Sequence, residues 1–182
     1  MFAQALPAFG AGPAGGAFSV PWQGAAGPGY NSDPLNVTGP AARADTTMIG
    51  ILIIAHDTLG ESLVAAVTHV LGGRPPQLAA FPVTSRDDPL QLLPLAQEVV
   101  RQLDDGDGVL IVADMYGATP CNLACKLLRT GHVEGLAGVN LPMLVRAFTY
   151  RTKGMETLLK KAVSGGCEGV VHMEPSSNYG TP

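Results

Sequence analysis

The sequence predicts a three-layer α/β/α domain built on a mostly parallel central sheet. Three observations carry that prediction. Short runs rich in Ile and Val alternate with longer segments whose apolar residues recur at helical spacing. One run, residues 108–113, is apolar almost throughout, as a strand covered on both faces must be. Gly, Pro, Asn and Asp punctuate the joints. Alternating strands and helices give parallel strands joined by crossovers, with helices on both faces of the sheet.

Each element follows from its own residues. Residues 48–55 read as a buried strand, because the run Ile49-Gly50-Ile51-Leu52-Ile53-Ile54-Ala55 is short and ends at the polar turn after His56. Residues 61–71 read as a helix with Leu63, Val64, Val67, Val70 and Leu71 on one face. Gly72-Gly73 closes it and Pro75-Pro76 blocks continuation. Residues 77–83 form a second strand. Residues 89–103 form a long helix, with Leu92, Leu95, Ala96, Val99 and Leu103 at helical spacing. The third strand is 108–113. Residues 120–128 make a helix whose Pro120 suits the first turn. A short strand at 136–140, helices at 142–150 and 155–164, and a last strand at 170–173 complete the order. Gly165-Gly166 separates the last two, and the final strand pairs either in its own sheet or with a partner subunit.

The termini differ in composition. Gly, Pro and Ala dominate residues 1–47, where only Asp33, Arg43 and Asp45 are charged. Such a stretch predicts disorder, as does the tail 175–182. Met48 directly precedes the first strand and is a second candidate start. The expected domain is therefore 48–174.

Bulk properties narrow the function. The 182 residues carry a net charge of −4, with no basic stripe of the kind that nucleic acid requires. No apolar run approaches the roughly 20 residues that span a bilayer. The first residues show no basic n-region and no apolar h-region, so no secretory signal is expected. Cys121, Cys125 and Cys167 form no disulfide framework and no metal-ligand set, which suits a cytoplasmic location and a chain without a bound metal or cofactor.

In a parallel sheet, chemistry collects at the carboxyl ends of the strands. His56 ends the first strand there and Asp114 ends the third. A carboxylate that accepts from one ring N–H fixes the tautomer and leaves the other nitrogen free as nucleophile or base. Asp114 also suits a plain helix-capping role. The turn Gly117-Ala118-Thr119-Pro120 opens a helix; its N–H groups and the Thr119 hydroxyl suit phosphoryl oxygens, or Thr119 simply caps the helix. Thr84, Ser85 and Arg86 follow the second strand, and Asn140 and Pro142 follow the fourth. His69, His132 and His172 read as structural or solvated. Nucleotide loops and the G-x-S-x-G elbow are absent.

Three segments together resemble one family. MIGILIIAHDTLG at 48–60, VADMYGATPCN at 112–122 and GVNLPML at 138–144 are similar, in order and spacing, to the mannose-type enzyme IIA domains of the bacterial sugar phosphotransferase system. The resemblance covers roughly 48–174. It implies His56 as phosphoacceptor, Asp114 as the residue that orients it, and Gly117, Ala118 and Thr119 near the phosphoryl group. It further implies phospho-HPr as donor, a IIB component as acceptor, association with a membrane permease, and a homodimer that exchanges a C-terminal strand, for which 170–173 is the candidate. Leu59, Met115 and Tyr116 are expected to line the docking surface. Two departures stand out: Asp57 replaces the small residue, often Gly, that follows the histidine, and residues 1–47 match nothing in the family. A free-standing chain of this type also fits a regulatory protein whose partner binding is switched by His56 phosphorylation, without a transport role. An inert interaction domain is a third reading, motivated by Asp57.

Overall fold

The computed structural model describes residues 48–173. The expectations of disorder for 1–47 and 175–182 fall outside those residues. All described residues belong to one compact unit.

Four strands form a wholly parallel sheet in the order β2-β1-β3-β4. They are β1 (Gly50–His56), β2 (Leu78–Val83), β3 (Val109–Ala113) and β4 (Val133–Ala137). Five helices accompany them: α1 (Leu59–Val70), α2 (Pro89–Leu103), α3 (Thr119–Cys125), α4 (Leu141–Tyr150) and α5 (Met155–Glu168).

Period-two alternation in the central strands builds two cores. Ile51, Ile53 and Ala55 of β1 and Leu110 and Val112 of β3 pack with residues of α1, α4 and α5. Leu52 and Ile54 of β1 and Val109 and Ile111 of β3 pack with residues of α2 and α3. These β1 and β3 residues are all essentially inaccessible to solvent, so the three-layer expectation is met. At about 1.5–3 kcal/mol for each fully buried large apolar side chain, the two central strands make a large contribution to the hydrophobic stabilisation.

Several expected elements shift. The fourth strand lies at Val133–Ala137 and not at 136–140. Pairing with β3 sets its span, Val133 opposite Val109 and Ala137 opposite Ala113. Gly138 then turns away at φ 88°, and Asn140 is occupied as the N-cap of α4, accepting from the Met143 N–H at 2.9 Å. The helix α5 runs straight through Gly165-Gly166 to Glu168. There a Cβ on Gly165 would stand 2.7 Å from Arg146 Cβ, and one on Gly166 2.8 Å from Met143 Cε. The glycines serve close approach of α5 to α4, and that packing outweighs their low helix propensity.

Residues 170–173 join no strand among the described residues, and Val170, Val171 and Met173 are 79%, 72% and 89% exposed. A short apolar run becomes a strand only where a neighbour accepts its hydrogen bonds, and this one has none among the described residues. The stripe expected on α1 is buried at Val64 and Val67 but exposed at Val70 and Leu71. On α2, Leu95 is exposed and Val100 takes its place in the core. The helix α3 stops at Cys125, short of 128.

Candidate active site

β1 and β3 are neighbours, but the chain leaves them on opposite faces: α1 packs in one core and α3 in the other. The loops after the two strands therefore diverge and open a crevice at their carboxyl ends, where ligands gather in such sheets. His56 closes β1 on one side of it. Asp114 stands one residue past β3 on the other.

The two side chains meet. His56 Nδ1 lies 2.7 Å from Asp114 Oδ2, and the His56 backbone N–H donates to the same oxygen at 2.9 Å. Asp114 Oδ1 accepts from the Met115 N–H at 2.8 Å. Burial by itself would push the Asp114 carboxyl up. The backbone N–H and ring of His56 and the N–H of Met115 outweigh it and hold the carboxyl below its usual 3.8. An ionised carboxylate only accepts, so Nδ1 carries the ring proton and Nε2 the lone pair. No described residue hydrogen-bonds Nε2. The imidazole is 43% exposed while the carboxylate is 9% exposed, so the ring is open to solvent and its partner is sequestered. Asp114 thus binds the ring and the loop; it does not cap α3.

The loop after Asp114 is bent at Gly117, with φ 81°. Asn122 holds it from α3: its Nδ2 donates to the Gly117 carbonyl at 3.4 Å, and its N–H to the Ala118 carbonyl at 2.9 Å. In the sequence Asn122 is only the last letter of the segment 112–122, since a backbone contact made from within a helix leaves no mark in spacing. The expected cap at Thr119 is not formed. Ala118 is the N-cap, without a side-chain bond, and Thr119 is already in the first turn, with its hydroxyl exposed and unpartnered among the described residues. Leu59, Met115 and Tyr116 are 44%, 58% and 85% exposed, large apolar side chains beside the two key residues in the chain.

Asp57 adopts φ 45°, the left-handed region. Its N–H donates to the Val83 carbonyl at 3.2 Å, which turns the chain sharply between β1 and α1. A glycine meets that geometry without strain, so the departure noted in the sequence has a backbone cost.

Other expected positions lie elsewhere. Thr84–Arg86 form a self-contained turn, in which Asp87 Oδ2 accepts from the Thr84 N–H. His132 pairs with Asp104, Nε2 to Oδ2 at 2.6 Å, at the opposite end of β3. His69 and His172 are exposed. Asn140 bridges α4 and α5, as its Nδ2 also donates to the Gly166 carbonyl at 3.0 Å. Cys125 and Cys167 are exposed and only Cys121 is buried.

Comparison with known proteins gives the family. The family profile described as PTS system fructose IIA component, EIIA-man, matches residues 50–163. The chain belongs to the mannose-type EIIA family. It is 30% identical over 125 residues to the PTS system mannose-specific EIIAB component of Escherichia coli (strain K12), which covers 67% of this chain and 38% of that protein. The chain thus spans well under half the length of this relative. It is 34% identical over 68 residues to the transcriptional regulatory protein LevR of Bacillus subtilis (strain 168), covering 37% of this chain and 7% of LevR. Two solved structures share the fold of this EIIA chain. The phosphotransferase system component EIIA from Streptococcus agalactiae has a TM-score of 0.61 at 24% identity, covering 69% of this chain and 97% of its own. The mannose/sorbose specific IIA subunit from Enterococcus faecalis has a TM-score of 0.64 at 20% identity, covering 72% and 98%. No helix among the described residues is long and apolar enough to cross a membrane.

Proposed function

We propose that this EIIA chain is a phosphocarrier of a sugar phosphotransferase system, accepting a phosphoryl group on His56 Nε2 from phospho-HPr and passing it to a IIB component in the cytoplasm. One observation carries the reading: an exposed imidazole whose Nδ1 is held by a sequestered carboxylate at 2.7 Å, with Nε2 unpartnered among the described residues. In the transfer, the Nε2 lone pair attacks phosphorus as the N–P bond to the donor ring breaks, and the donor nitrogen keeps the electron pair. Asp114 stabilises the positive charge that develops on the His56 ring, so catalysis is positioning plus electrostatics. Thr119 and the backbone at Gly117 and Ala118 offer donors to the phosphoryl oxygens. Leu59, Met115 and Tyr116 provide the apolar rim on which the carrier proteins dock.

The exposed run 170–173 supports a homodimer in which this segment adds as a strand to the partner's sheet. The domain assignment that goes with this reading is 48–174, flanked by non-domain segments.

The test is intact-mass analysis after incubation with phosphoenolpyruvate, enzyme I and HPr. One acid-labile phosphoryl group is expected, absent in His56→Ala with the fold retained. Undiminished phosphorylation of His56→Ala would remove His56 from the mechanism.

A second reading has its own support. The similarity to LevR, and the likeness in fold to a sigma-54 interaction domain protein from Enterococcus faecalis at a TM-score of 0.57, link this domain type to regulators. In that reading phosphorylation of His56 switches a partner interaction through the added charge. A phosphoryl group that never reaches a IIB component, but changes affinity for a regulatory partner, would favour it.

A further inference from the structure

The chain is acidic overall and holds only 11 Lys and Arg residues, yet three of them surround one cleft. That cleft, of about 460 Å³, lies between the C-terminal half of α2 and the segment after α3. Arg101 enters from α2; Lys126 and Arg129 enter from the other side. Gln97 adds an amide, and Val100, Leu127 and Leu128 form an apolar wall. Asp104, which also lines the cleft, precedes β3, whereas Asp114 follows it, so the cleft sits at the end of the sheet opposite His56.

Two carboxylates oppose the cations, and both are engaged. Glu98 pairs with Arg101 on the exposed surface of α2. Asp104 Oδ1 accepts the N–H groups of Gly106 and Gly108, and its Oδ2 accepts the His132 ring at 2.6 Å, leaving Arg129 at 3.8 Å as a distant partner. Lys126 has no acidic partner among the described residues. The local balance is therefore positive in a negatively charged molecule. Guanidinium forks and an ammonium favour a doubly charged tetrahedral oxyanion. The volume falls within the range of small-molecule sites, and the apolar wall calls for a body attached to the anion.

We infer that this cleft binds a small phosphate monoester, with its phosphate on Lys126, Arg129 and Arg101 and its body against Val100, Leu127 and Leu128. The site is separate from the phosphorylated histidine and independent of that reading.

Phenyl phosphate and inorganic phosphate serve as probes, titrated into the full chain at constant ionic strength by calorimetry and amide chemical-shift mapping. Phenyl phosphate is expected to shift amides of 97–104 and 126–129, and to bind more tightly than inorganic phosphate. Lys126→Ala with Arg129→Ala should weaken it by about tenfold or more, the scale of lost charge-assisted contacts. Lys153→Ala, which removes one charge elsewhere on the surface and so matches Lys126→Ala alone, should not. If the double variant melts differently from the parent, Lys126→Ala alone carries the comparison, since its side chain makes no hydrogen bond or ion pair among the described residues. Equal binding of both probes would overturn the monoester assignment in favour of the free ion. Binding that Lys153→Ala weakens equally, or shifts confined to the His56 loops, would overturn the site.

Discussion

At the scale of the residue, His56 and Asp114 divide one task. The histidine offers a lone pair to solvent, and the aspartate fixes which nitrogen offers it. Asp114→Asn is expected to keep the fold and slow phosphoryl transfer by roughly 100-fold or more, since an amide supplies neither the charge nor the obligate acceptor. Rapid-quench transfer from phospho-HPr measures this; unchanged kinetics would leave Asp114 a purely structural residue. Asp57 is the contrasting case, a residue at φ 45° beside His56. Asp57→Gly should raise stability by about 0.5–1 kcal/mol, because glycine meets the left-handed backbone without the Cβ penalty. Thermal melting of the two proteins decides it, and a lower melting point for the glycine variant would mean that the aspartate side chain stabilises the turn.

At the scale of the element, glycine has opposite meanings in different places. In α5, Gly165→Ala improves helix propensity by about 1 kcal/mol, yet it drives a Cβ to 2.7 Å from Arg146 Cβ, an atom that cannot move without its helix. Overpacking of this kind costs about 1–3 kcal/mol, so a net destabilisation is expected in urea unfolding. Net stabilisation would show that α4 and α5 shift apart freely. The strand β3 is anchored by an aspartate at each end: Asp104 on its entry turn and Asp114 at its exit. Burial pushes both carboxyls up, and hydrogen bonds from backbone N–H groups and a histidine ring more than reverse it, so both lie below the usual 3.8. The stability they contribute is complete above that value and drains as pH falls through it toward the lower folded-state values. Urea midpoints measured from pH 6 downward should fall in this acid window, and Asp104→Asn should flatten the slope. An unchanged slope would assign the acid lability to other carboxyls.

At the scale of the molecule, the folding unit follows from where the core residues lie. A chain beginning at Met48 is expected to melt cooperatively and to match the full chain in phosphoryl acceptance, because the described residues, all from Met48 onward, assemble two cores by themselves. Loss of cooperativity would bring 1–47 into the fold. Removal of 170–182 should lower the dimer fraction in sedimentation velocity without changing the helix content. An unaltered dimer would place the interface elsewhere.

The sequence alone determined the three-layer architecture, because periods of two and 3.6 are local properties that burial imposes on any chain of this kind. It also determined the positions of His56 and Asp114, each at the end of a readable strand. Tertiary structure decided the rest. Only the order β2-β1-β3-β4 brings two residues 58 apart to 2.7 Å. Pairing with β3 moved β4 to Val133–Ala137, and packing against α4 carried α5 through two glycines. The exposure of 170–173 and the gathering of Arg101, Lys126 and Arg129 also came from three dimensions. Pairing, close packing and charge convergence are relations between distant residues, and a local pattern carries no record of them.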